Sequence, residues 1–263
     1  MSERTVSDAA RAAPVDWDAA TYDRVSTPMQ AWGREVLDRL PLRGDETVLD
    51  AGCGSGRVTM ELLARLPNGR VVAVDAAPAM VSLARETLPS DRAEVIQCDL
   101  VKLELAEPVD AVLSTATFHW IADHERLFAR LYAALRPGGG LVAQCGGEGN
   151  IARFHATING VCSRNPFAAY FAGWKGPWNY ASPADTERRL VAAGFEHVRC
   201  WLVDWPVVPP DPSAYVRAVC LRAHLDLLPE PLREPFLEAV IAAEADPLEI
   251  DYVRLNIDAR RPA

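Results

Sequence analysis

The chain has 263 residues, 49% of them hydrophobic, with 36 acidic against 27 basic side chains and a formal net charge of −9. That length and apolar share suit one large domain with insertions, and the acidic balance without a Lys/Arg run disfavours nucleic acid or another polyanion as partner. Six cysteines form no Cys-x-x-Cys pair and sit at no zinc spacing with histidine, no apolar run approaches the ~20 residues of a membrane span, and Met1–Arg11 lack an apolar leader, so a metal-free, reduced, cytoplasmic protein is expected.

Residues 1–14 are small and polar and are expected to fray. Between Trp17 and Leu40, Met29, Trp32, Val36, Leu37 and Leu40 fall at helical spacing, broken at Pro28. Residues 1–44 therefore read as an N-terminal helical lid. Thr47–Asp50 is a short apolar strand running into Ala51-Gly-Cys-Gly-Ser-Gly56, and the helix from Arg57 to Leu66 stops at Pro67-Asn-Gly69. The unit recurs as strand Arg70–Asp75 and helix Pro78–Leu88, with a first-turn proline. Strands Ala93–Asp99 and Val109–Thr115, helix Asp123–Leu135, the turn Arg136-Pro-Gly-Gly-Gly140 and strand Leu141–Cys145 follow. Strands alternating with helices predict a mostly parallel sheet covered on both faces, an α/β Rossmann-like fold. Residues 45–150 form its core, and the carboxyl ends of the strands deliver Asp50, Asp75, Asp99, Thr115 and Gly146 to the edge where ligands bind.

Residues 150–182 break the pattern with Phe154, Phe167, Tyr170, Phe171, Trp174, Trp178 and Tyr180 and no clean period. They read as an insertion capping the site. Ser182 is the N-cap candidate of a helix reaching about Ala193, Phe195–Val208 is strand-like, and 212–245 is helical with a break at Leu228–Pro231. Ile250–Ala259 reads as a closing strand, so residues 183–263 complete the sheet.

The glycine run lies between a strand and a helix, the context that makes it a nucleotide-loop candidate. Glycines let the chain turn sharply and let a ligand approach the backbone. A dinucleotide loop needs Gly-x-Gly-x-x-Gly. The third glycine is replaced by Arg57 in the frame from Gly52 and by Thr59 in the frame from Gly54. A ligand without phosphate fits better, and the carboxylate of Asp50 suits an ammonium or a fixed water. Asp75, ending the next strand, is placed to accept hydrogen bonds from two ribose hydroxyls; its alternative is to cap the helix at Pro78.

Val48–Gly56 resembles motif I of the class I S-adenosylmethionine (SAM)-dependent methyltransferases. Val72-Ala-Val-Asp75 with Pro78-Ala-Met80 resembles their second motif, Gln97-Cys-Asp99 their third, and Leu135–Gly140 their post-strand turn. The resemblance is close over about residues 45–150. It implies seven strands with an antiparallel last one, SAM as cofactor, and methyl transfer. It places Asp50, Gly52, Cys53, Gly54, Gly56, Asp75, Ala76, Met80, Asp99, Leu100 and Thr115 around the cofactor, with Asp99 toward the adenine amine. Thr117-Phe-His-Trp-Ile121, the Trp17…Tyr22-Asp-Arg-Val segment and Asp251–Asn256 are similar to the trans-aconitate methyltransferase-like group, whose members esterify carboxylates. That implies a small organic acceptor, with carboxylate O-methylation ahead of hydroxyl or carbon methylation.

Tyr22, His119, Trp120, Phe154, Trp174 and Trp178 are the candidate acceptor-binding residues. His119 could act as a general base, orient the acceptor through one hydrogen bond, or simply pack beside Trp120. Met80 could line an adenine pocket or fill the helix core. His155, His197 and His224 have no partner at metal spacing. Arg153, Arg164 and Lys175 could pair with an anionic acceptor, though each alone is more simply a solvated charge. A monomer or homodimer without nucleic-acid or membrane partners is expected. Two other classes compete: a SAM-binding, pericyclase-like protein that transfers no methyl group, and a nicotinamide oxidoreductase, disfavoured by Arg57 and Thr59.

Overall fold

The computed structural model describes residues 27–263, so Tyr22 and the first part of the expected lid lie outside the described residues. Helix α1 (Thr27–Arg39) leads into β1 (Thr47–Ala51). Then come α2 (Arg57–Ala64), β2 (Arg70–Asp75), α3 (Pro78–Thr87), β3 (Ala93–Gln97), β4 (Val109–Thr115), α4 (His124–Ala134) and β5 (Leu135–Gly146). The second half holds α5 (Ala152–Cys162), α6 (Pro183–Ala192), β6 (Glu196–Asp204), α7 (Glu230–Ala242) and β7 (Val253–Arg260), with short helical turns between. The seven strands make one sheet in the order β3-β2-β1-β4-β5-β7-β6, parallel except for β7, which runs antiparallel to both β5 and β6. This is the Rossmann-like α/β architecture. The chain reverses its direction across the sheet between β1 and β4, the place where such sheets open a crevice.

Successive strand residues face opposite layers, as the two-residue period requires. Leu49, Val112 and Leu141 join the layer packed with Phe128 and Leu131 of α4 and Leu190 of α6. Their neighbours Val48, Leu113 and Val142 join the layer of Leu37 from α1 and Leu62 from α2. A separate core lies beyond the strand ends, built on Phe154, Ile158, Phe167, Phe171, Tyr215 and Phe236. Trp32 of α1 and Tyr252 before β7 pack into it and tie it to the sheet.

Three differences from the sequence expectation have physical causes. Residues 152–162 are helical: Phe154, Ile158 and Val161 follow the three-to-four-residue rhythm and are buried, at about 1.5–3 kcal/mol for each large apolar side chain. The glycine turn after α4 belongs instead to β5, which pairs Leu135 with Val109 and slips register before Gly140. Gly138 there has φ +78°. The helical stretch expected from 212 breaks early, at a wide π turn over Val216–Cys220. No helix among the described residues is long and apolar enough to cross a membrane.

Candidate active site

The glycine loop leaves β1 at the crevice. Gly52, Gly54 and Gly56 all adopt positive φ (85°, 55° and 87°), so side chains at these positions would be strained. A Cβ on Gly52 would also sit 2.0 Å from Thr117 Oγ1. Above Gly54 the space is open, with nothing within 4 Å of a Cβ built there. Asp50 is buried beneath the loop. Its Oδ2 accepts from Thr59 Oγ1 at 2.6 Å, while Oδ1 has no partner. Burial pushes the Asp50 carboxyl up to about 6, against the Thr59 hydrogen bond and with a smaller push from Asp75. Asp75 ends β2 and accepts from Gly54 N–H and Ala77 N–H, both at 2.9 Å. Each of its oxygens keeps a second lone pair. Burial raises its carboxyl above the ordinary range despite those backbone bonds.

The remaining loop-side candidates divide. Met80 and Leu100 are buried, Thr115 is half-buried at the end of β4, and Ala76 lies half-buried beside Asp75. Asp99 is exposed and caps a short turn, accepting from Val101 N–H at 3.2 Å.

Next to the loop lies a cavity of about 510 Å³, its open mouth included. Trp32, Ala116, His119, Trp120, Asn150, Ile151, Trp178, Tyr180, Val219, Cys220, Tyr252 and Arg254 line it. Two of these, Ala116 (φ +54°) and Ile151 (φ +47°), hold a left-handed backbone that non-glycine residues adopt only under constraint, and such strain gathers at functional sites. The sequence candidates His119, Trp120 and Trp178 meet here. Phe154 does not: it is fully buried in the outer core. Trp174 stands behind Trp178 in an edge contact of 5.7 Å and is absent from the lining. Arg153 pairs with Glu249 at the surface, and Arg164 and Lys175 are exposed.

His119 is 8% exposed, stacked on Tyr180 at 5.9 Å and tilted against Trp120 at 5.2 Å. Its Nδ1 accepts the backbone N–H of Gly146 at 3.2 Å. Burial holds the ring well below the ordinary histidine range, helped by the positive charge of Arg254 and by His124. The ring is therefore neutral at pH 7. A lone pair on Nδ1 facing an amide N–H puts the proton on Nε2. Tyr180 is kept protonated by burial, against a hydrogen bond from Asn150. No Asp or Glu is among the described residues lining the cavity.

The sequence pattern of a family described as a methyltransferase domain matches residues 48–139. A trans-aconitate 2-methyltransferase of Paracidovorax citrulli is 31% identical over 94% of this chain and 99% of its own length. One of Methylobacterium nodulans is 32% identical, over 94% and 98% respectively. The chain belongs to the class I SAM-dependent methyltransferases, in their trans-aconitate methyltransferase-like group. It is therefore an enzyme, and its cofactor is SAM. At the level of fold, phosphoethanolamine N-methyltransferase 2 of Haemonchus contortus is similar, with a TM-score of 0.62 at 16% identity over 93% of this chain and 57% of that one.

The residues present fit the methyltransferase cofactor. The orphaned Oδ1 of Asp50 is a buried acceptor waiting for a donor, and an ammonium supplies one. The open cradle above Gly54 admits a ligand against the backbone. The spare lone pairs of Asp75 suit two hydroxyls.

Arg254 is the site residue that sequence reasoning missed. It lies in β7, is 2% exposed, and its guanidinium sits 4.4 Å over the Trp32 ring, with Nε 3.4 Å from Gln144 Oε1. Trp32, Asn150, Tyr180 and Tyr252 are likewise absent from the acceptor-binding candidates named singly, Asn150 and Tyr180 being expected only as part of the capping insertion 150–182. The available signal was a charged residue within the closing strand.

Proposed function

We propose that this methyltransferase transfers the methyl group of SAM to a carboxylate oxygen of a small organic acid. The observation that carries the reading is the state of His119. Its one lone pair is committed to Gly146 N–H, so toward the cavity it offers an N–H donor and not a base. A carboxylate is already ionised at neutral pH and needs donors to hold it, whereas a hydroxyl or carbon acid needs a proton taken away. Nothing among the described lining residues is placed to take one: Tyr180 and Tyr252 are held protonated, and no carboxylate is present.

Asp50, the loop from Gly52 to Gly56, Asp75 and Asp99 would hold the cofactor, Asp50 through its ammonium and Asp75 through its ribose. When bound, SAM supplies a methyl carbon that a carboxylate oxygen takes as the C–S bond breaks, the electron pair leaving with sulfur and no proton changing hands. The protein's part is proximity and exclusion of water. His119 donates through Nε2–H to fix the acceptor, and Trp120 and Trp178 wall it from solvent. The name of the curated relatives, trans-aconitate 2-methyltransferase, supports an acid acceptor. The test is the bond made in the product. With methyl-labelled SAM and a library of acids, the label should appear in methyl esters that mild base hydrolyses. Label found only in base-stable ethers or carbon-bound methyl groups refutes the reading.

A further inference from the structure

The glycine loop and the turn that carries His119 and Trp120 meet at one side chain. Thr117 opens the turn Phe118–Trp120, and its backbone carbonyl accepts the N–H of Trp120 at 2.9 Å. Its hydroxyl donates to Gly52 O in the glycine loop at 3.2 Å and to Thr115 O at 2.9 Å, one proton shared by two acceptors. Its side chain also fills the space that a Cβ on Gly52 would need. Glycine at 52 and threonine at 117 are thus two halves of one contact. Between Thr115 and Thr117 stands Ala116, whose left-handed backbone (φ +54°) persists only where neighbours enforce it. The Thr117 hydroxyl spans that kink, and Gln144 O accepts the Ala116 N–H at 2.7 Å. The far side of the turn is fastened elsewhere. Phe118 O accepts from His124 Nε2 at 2.9 Å, and His119 O accepts from Asn179 N–H at 2.8 Å.

We propose that Thr117 is a positioning residue that sets the distance between methyl donor and acceptor by tying the acceptor-side turn to the cofactor loop. The inference rests on the reading that puts SAM on the loop and the acceptor beside His119 and Trp120; it does not depend on which acceptor atom is methylated. Methyl transfer is an in-line displacement, and a misplacement of about 1 Å in such a reaction costs roughly a hundredfold in rate. Loop and turn each bind their own ligand without the tie. Its loss therefore leaves binding in place and spoils the approach of one ligand to the other. The hydroxyl has a second task, to hold Ala116 in a conformation that alanine disfavours. Without it the kink opens, and the turn carrying His119 swings from its root. Ser114 Oγ, donating to Ala51 O at 2.6 Å, keeps the end of β4 against the loop one step earlier, so the sheet itself stays closed.

Thr117→Val removes the hydroxyl and keeps the shape. The full chain is assayed in single turnover with methyl-labelled SAM. The acceptor is the one that wild type methylates fastest among trans-aconitate, tricarballylate, trans-cinnamate, octanoate, 1-octanol and cinnamyl alcohol. Binding of S-adenosylhomocysteine, and of the acceptor in its presence, is measured by calorimetry. The methyl-transfer rate should fall by about tenfold or more, with both affinities within about threefold of wild type. Thr117→Ser returns the hydroxyl and should recover most of that rate. In the Thr117→Val background, Ala116→Gly removes the need to hold a strained backbone and should recover part of it. A rate within about twofold of wild type in Thr117→Val overturns the inference. So does a loss of both affinities that accounts for the whole effect, or a Thr117→Ser variant as slow as Thr117→Val, because each means that the side chain supports the fold and not the approach. An ester product leaves the carboxylate reading standing whatever Thr117 does. An ether product refutes that reading, while the comparison of rates still decides this one.

Discussion

Replacing His224 by Phe should make the protein less sensitive to acid. His224 sits on the short helix Arg222–Leu225, 2% exposed, ringed by Trp174 at 4.7 Å, Trp178 at 5.4 Å, Phe171 at 5.9 Å and Phe236 at 6.1 Å. Its Nδ1 has no partner. Burial, with a smaller push from His155, lowers the ring to about 3, against an ordinary 6.5. The folded chain therefore takes this proton later than the unfolded chain as pH falls. Stability from this site is full above pH 6.5 and is lost as pH drops from there toward 3, at about 1.4 kcal/mol per unit once well below 6.5. Between pH 7.5 and 5.5 the loss is roughly 1.4 kcal/mol, and by pH 4.5 roughly 2.7 kcal/mol. Other groups titrate in the same window: His119, His124 and His155 add to the loss, while Asp50, raised to about 6, opposes it. The informative quantity is thus the difference between wild type and variant. Phe suits four aromatic neighbours and has no nitrogen to protonate. Urea unfolding at pH 7.5, 6.5, 5.5 and 4.5 should show the stability gap shifting toward the variant by about 1.4 kcal/mol between pH 7.5 and 5.5. Parallel pH curves, within a few tenths of a kcal/mol, would refute the assignment of a buried neutral histidine.

Two further outcomes follow from the loop. Because Asp50 titrates near 6 and its ionised form is the one that attracts an ammonium, SAM affinity should weaken as pH falls from 7 to 5, and Asp50→Asn should bind less tightly and lose that slope in calorimetry. Gly52→Ala combines a left-handed backbone with a Cβ placed 2.0 Å from Thr117 Oγ1; the two effects together should cost about 2–4 kcal/mol in chemical denaturation.

The sheet and the cofactor loop were legible because their signals are local. Apolar runs at Thr47–Asp50, Arg70–Asp75 and Val109–Thr115 became β1, β2 and β4 with little change, and the glycine loop emerged between strand and helix where its spacing put it. The acceptor wall was legible only in part. His119, Trp120 and Trp178 reach the cavity, but density of aromatics in 150–182 could not separate these from Phe154 and Trp174, which pack outward. Arg254 was hidden by a regular pattern. Val253-Arg-Leu-Asn-Ile-Asp258 alternates as a strand with one wet face would. In the fold α1 covers that face. Arg39 donates to Asn256 Oδ1 at 2.9 Å, Trp32 lies under Arg254, and the polar positions 254 and 256 are buried. Burial of a polar strand face depends on a helix more than two hundred residues earlier, and no local pattern carries that. The bulge in β5 and the π turn at Val216–Cys220 were missed for a related reason: Gly-Gly-Gly reads as a turn unless a neighbouring strand claims it, and a helix widened by one residue keeps a helical composition.

The central claim is that His119 holds the acceptor and does not take a proton from it. His119→Gln keeps an N–H donor near the Nε2 position and cannot act as a base. Steady-state kinetics with an acid acceptor between pH 6.5 and 9 should give a kcat within about tenfold of wild type, with flat and parallel pH profiles for both proteins. A fall in kcat of roughly 10²–10⁴ with acceptor binding intact, together with loss of an ionisation seen in the wild-type profile, would contradict the account.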